Sequence, residues 1–80
     1  MRPATARQIE ILRYIERQTR EQGYAPSARE LAAHFGINSL NGVACHLAAL
    51  RQLGLLTRAP KLARAIVVTA RGRAALDGRA

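Results

Sequence analysis

Apolar positions recur along this chain with two different periods, and the change of period divides it. Ile9, Leu12 and Ile15, with Ile11, form one stripe, while Arg13, Arg17, Arg20 and Glu21 fall on the other side. That spacing predicts a helix over residues 5–22. Thr5-Ala6-Arg7-Gln8 reads as a capping box at its start, with the Thr hydroxyl accepting from the Gln8 amide and the Gln side chain reaching back. Glu16 and Arg20 make an i,i+4 pair. Gly23 stops this helix, and Pro26 disfavours a helical Ala25.

Ser27-Ala28-Arg29-Glu30 is a second capping box and predicts a short helix over 27–35 through Leu31, Ala32 and Phe35. Gly36 is placed to end it in the left-handed conformation. Ile37-Asn38-Ser39 leaves room only for a tight turn, with Ile37 pointing inward. Ser39 then caps a third helix over 40–53, closed by Gly54. Its apolar face is Val43, Leu47 and Leu50; the opposite face carries Asn41, Cys45, Ala48 and Gln52, with Ala44 and Ala49 at its margins. Two short helices joined at a glycine corner form a helix-turn-helix pattern.

After Gly54 the period shortens. Leu55 to Arg58 and Ala65 to Thr69 read as strands, the second rich in β-branched residues. Residues 59–64, with Pro60, Lys61 and Arg64, form the loop of a basic hairpin, so 55–69 is a wing. Thr69 can cap a last short helix over 70–77, which Gly72 weakens by up to about 1 kcal/mol relative to Ala. The expected fold is mainly α with a small β-hairpin: a winged helix-turn-helix of three helices, a two-stranded wing and a short C-terminal helix. Residues 1–80 are read as a single domain.

Charge narrows the choice of partner. The 13 basic and 5 acidic residues give a net +8, and no acid lies between Glu30 and Asp77. A one-sign field of this kind favours a polyanion, with nucleic acid the first candidate. An anionic membrane surface and an acidic partner protein are the alternatives. One cysteine, Cys45, excludes an internal disulfide and a cysteine-rich zinc site. No apolar run approaches the roughly 18–20 residues of a membrane span, and Met1-Arg2-Pro3 leads into a polar helical pattern without a signal peptide. The expectation is a cytoplasmic protein that needs no cofactor, metal or small-molecule substrate. No catalytic constellation stands out: Glu10, Glu16, Glu21 and Glu30 read as helix-surface or capping groups.

Thr5 to Gln8, Gly23 to Pro26, Glu30-Leu31-Ala32, Phe35-Gly36, Ser39-Leu40-Asn41, His46-Leu47, Leu50, Gly54 and Arg64 ahead of Ile66 fall as they do in the LexA family. Over about residues 1–69 the chain resembles the N-terminal DNA-binding domain of LexA repressors. The resemblance implies a bacterial or phage-encoded, nucleoid-associated repressor that binds operator DNA as a homodimer through the third helix. It also implies a link to the SOS response. It places Ser39, Asn41, Gly42, Ala44 and Cys45 in the major groove, and Arg64 of the wing near the backbone or minor groove.

The chain departs from the family in four respects. Ala44 and Cys45 stand where LexA repressors carry acids that take part in reading bases. The arginine that opens the second helix comes one position later, at Arg29, and a loop containing Pro60 replaces a glycine-rich wing tip. The sequence also lacks the self-cleaving peptidase domain, and its tail from Thr69 resembles the end of MarR- or PadR-type regulators. A free-standing regulator and an excised domain are both compatible with this.

Each candidate residue has a chemical reading. Asn41 can bond bidentately to adenine N6 and N7. Gly42, Ala44, Cys45 and Ala48 are small, which lets the helix lie deep in the groove with their methyl and thiol groups against thymine methyls. Ser27 and Ser39 open helices whose free amides can hold a phosphate. Arg7, Arg29, Lys61 and Arg64 are the basic phosphate-contact candidates, with Arg51 and Arg58 behind them. His34 is expected to face solvent, and His46 to pack or cap. The segment from Thr69 is expected to supply the dimer contact.

Overall fold

In the computed structural model, which describes residues 4–58 and 66–77, the local signals act as helix ends. α1 runs Ala6–Gln22 behind Thr5, whose Oγ1 accepts from the Gln8 amide at 3.1 Å while Gln8 Oε1 accepts from the Thr5 amide at 2.9 Å. Gly23, at φ 85°, turns the chain out of α1 in a conformation that an L side chain resists. α2, Ala28–Phe35, repeats the device: Ser27 and Glu30 exchange bonds of 3.1 and 2.8 Å, and Gly36 closes the helix.

α3 spans Leu40–Gln52. It ends one residue before the expected boundary because Leu53 is its C-cap, and the Leu55 amide bonds back to the Leu50 carbonyl at 3.0 Å. The strands are narrower than the wing drawn from sequence. β1 is Leu56–Arg58 and β2 is Ile66–Val68, antiparallel, with Leu56 opposite Val68, Thr57 opposite Val67 and Arg58 opposite Ile66. Leu55 and Thr69 stand opposite each other in the same register, and the Thr69 amide donates to the Leu55 carbonyl, but they fall outside the strands because the Leu55 amide turns back to the Leu50 carbonyl. α4, Ala70–Leu76, follows Thr69 as its N-cap.

The core collects the apolar side of every element. Ile11, Leu12, Ile15, Leu31, Val43, Leu47, Leu50 and Leu56 are almost completely buried, and Leu55, Ile66 and Val68 join them. Each such side chain contributes roughly 1.5–3 kcal/mol. Ile9 is only half-buried, because it lies near the end of α1 beyond the middle of the core. α2 packs on α3 to make the helix-turn-helix, α3 packs on β1, and α1 supports α3, β2 and α4. The fold is a winged helix-turn-helix, with four helices and a two-stranded sheet among the described residues.

Glycine at position 72 does more than weaken α4. Gly72 is buried, and a Cβ there would overlap the Leu55 carbonyl oxygen and come within 2.8 Å of Val68 Cγ1. The missing side chain allows α4 to lie against the hairpin base.

Candidate nucleic-acid interface

The outward face of α3 is defined by what its other side buries. Val43, Leu47 and Leu50 are each at most 1% exposed, which fixes the rotation of the helix. Asn41, Cys45, Ala48 and Gln52 are therefore exposed, with Ala44 and Ala49 half-buried beside them. Asn41 has no hydrogen-bond partner among the described residues, so both ends of its amide are available. Ser39 Oγ accepts from the Gly42 amide at 3.1 Å, which leaves its hydroxyl proton to donate outward.

Gly42 belongs to a different environment from its neighbours. An added Cβ would sit 3.0 Å from Ile37 Cγ2 and 3.5 Å from Ser39 Oγ. Its open side therefore faces the α2–α3 turn, where half-buried Ile37 pins the corner. The structure thus brings Ser39, Asn41, Ala44, Cys45 and Ala48 together along one helix, and Gly42 lets the turn pack closely behind them.

The two serine-capped helix starts differ in charge. At α2 the Glu30 carboxylate already occupies the first turn and accepts from the Ser27 amide. At α3 the first turn holds no acid, so the positive end of the helix dipole is unopposed locally. Of the basic candidates, Arg7 is exposed, 3.7 Å from Glu10 and 5.7 Å over the Phe35 ring. Arg29 is exposed and has neither hydrogen bond nor ion pair among the described residues. Lys61 and Arg64, together with Pro60, lie outside the described residues.

Two features were not legible in advance. Leu40 shares the i, i+3, i+7 spacing of Val43 and Leu47, yet it is 47% exposed because the first residue of α3 overhangs the core. It therefore adds an apolar side chain between Ser39 and Asn41. His34 is exposed as expected, but its ring stacks on Tyr14 with centroids 3.9 Å apart, and Phe35 meets both rings edge-on. This cluster fixes α1 against α2 and sets Arg7 over Phe35. His46 is half-buried.

Among the described residues no three His, Cys, Asp or Glu gather where they could hold a metal ion. No helix among them is long and apolar enough to cross a membrane. No buried side-chain polar atom among them is left without a partner.

A family model described as "LexA DNA binding domain" matches residues 1–65. The chain is 46% identical over 74 residues to a LexA repressor of Anaeromyxobacter sp. (strain Fw109-5), covering 92% of this chain and 32% of that protein. It is 47% identical over 66 residues to a LexA repressor of Sorangium cellulosum, covering 82% of this chain and 29% of the relative. It is 42% identical over 73 residues to a LexA repressor of Myxococcus xanthus, covering 91% and 33%. The chain thus spans about a third of the length of these relatives.

Proposed function

Because the chain belongs to the LexA DNA-binding domain family, we propose that residues 1–80 act as a single sequence-specific double-stranded DNA-binding module of a LexA-like repressor. α3 docks in the major groove and the wing lies on the flanking backbone. The observation that carries this reading is the outer face of α3: anchored by three buried residues, free of acid, and bearing an unpartnered Asn41 beside small side chains.

In this reading Asn41 reads adenine, while Ala44, Cys45 and Ala48 lie against thymine methyls. Ser39 contacts the groove edge, and Gly42 lets the α2–α3 turn pack closely behind these residues. Arg7, Ser27, Arg29, Lys61 and Arg64 hold phosphates. With few long polar side chains on α3, a large share of affinity comes from the backbone and from DNA shape. One module buries only about 600–1,000 Å² on DNA, so tight binding takes a homodimer on two half-sites. The module itself carries out no catalysis and works in the cytoplasm.

Titration against duplex DNA at several salt concentrations tests the reading. Expected is binding to random duplex at low salt, with a steep negative slope of log affinity against log salt. Selection from a random DNA pool should then return a symmetric site. A protein that ignores duplex DNA at low salt but captures an acidic polypeptide would belong to a different class of module.

A further inference from the structure

Most described arginines already have a partner inside the molecule. Arg13, Arg71 and Arg73 donate to the carbonyls of Leu76, Leu53 and Val68, Arg7 and Arg20 pair with Glu10 and Glu16, and Arg17 lies over the Tyr14 ring. Three have no hydrogen bond, ion pair or ring contact among the described residues: Arg29, Arg51 and Arg58. Two of these three meet at one place. Arg51 of α3 and Arg58 of β1 line a cleft of about 220 Å³ together with Ala44, Leu47 and Ala48.

The geometry of β1 explains how Arg58 comes to be there. Leu56 is buried, Thr57 is exposed and Arg58 is half-buried, so Arg58 shares the pleat face of Leu56 and its cross-strand partner is buried Ile66. Its aliphatic stem follows the core-side face, and its charged head emerges at the cleft beside α3. Arg51 is seven residues beyond Ala44 on α3, two helical turns along the same flank. The cleft therefore has a floor of methyl groups and two unneutralised guanidinium groups, one from the helix and one from the wing strand.

We infer that Arg51 and Arg58 form a two-element phosphate clamp, which grips the DNA backbone between the recognition helix and the wing and sets how far α3 enters the groove. A guanidinium matches a phosphate bidentately, and the apolar floor of the cleft holds no acid to compete for either one. The inference rests on the duplex-binding reading above and adds the residues that couple α3 to the hairpin on DNA.

The test compares wild type, Arg51→Gln, Arg58→Gln and the double variant on a random duplex and on a selected site. Arg20→Ala, whose partner is Glu16 on α1, serves as the control. Each phosphate contact contributes about 0.9 to the slope of log affinity against log salt. Each single variant should therefore flatten the slope by about one contact and the double variant by about two, on both duplexes alike. Thermal unfolding of the variants checks that these surface changes leave the fold intact. A double variant with the wild-type slope would overturn the clamp while leaving DNA binding in place. A wild type that binds no duplex would instead remove the reading on which the clamp rests.

Discussion

Asn41 is the residue on which sequence choice is expected to turn. Asn41→Ala should relax discrimination at one base position by about 1–3 kcal/mol and leave affinity for random duplex nearly unchanged. Binding to a panel of single-base variants of the selected site measures this. Arg64→Ala should weaken binding to every sequence alike; identical behaviour of the two variants would dissolve the division between base-reading and backbone-holding residues. Gly72→Ala tests a structural residue. Helix propensity favours the change by up to about 1 kcal/mol, but the overlap with the Leu55 carbonyl is the larger effect. The melting temperature should fall. The exposure of Asn41 follows from its position on a helical wheel, whereas the role of Gly72 depends on Leu55 and Val68, which only the folded chain brings to it. Leu40 is a similar case, since its spacing matches the core stripe and only the position of the core edge exposes it.

At the scale of elements, the helix ends were the most legible part of the fold. Thr5, Ser27, Ser39 and Thr69 all cap where their local patterns indicate, because a cap is satisfied within three residues. Ser39→Ala should therefore cost about 0.5–2 kcal/mol, read by urea denaturation. It should also weaken DNA binding by more than that loss of stability explains, since the same serine stands at the proposed interface. The exact strand limits were less legible. Leu55 has a strand-like side chain, but its amide turns back to the Leu50 carbonyl instead of extending the ladder. The packing of α2 on α1 through Tyr14 and His34 was also hidden, because nothing in either helix alone marks its ring as stacked.

For the whole molecule, a thin core makes each large side chain decisive. An 80-residue domain has roughly 4–12 kcal/mol of stability in total. Leu47 is 1% exposed at the centre of α3, and Leu47→Ala should cost about 2–5 kcal/mol. Thermal unfolding followed by circular dichroism should show a melting temperature lowered by roughly 10 °C or more. The uneven distribution of charge acts at the same scale. With no acid between Glu30 and Asp77, the half of the chain that carries α3 and the wing should draw in a polyanion from a distance. Association should slow as salt rises.

The hairpin is closed beneath its tip by two ties. Thr69 Oγ1 donates to the Gly54 carbonyl at 2.6 Å, and the Thr69 amide donates to the Leu55 carbonyl at 3.1 Å. The end of α3, both feet of the wing and the start of α4 thus share one joint. A joint of that kind makes the tip interchangeable. Segments of other lengths and charges could replace residues 59–65 without altering the angle at which the strands leave the body. In the proposed DNA-bound arrangement, a changed tip would then alter the wing's reach while α3 keeps its seat.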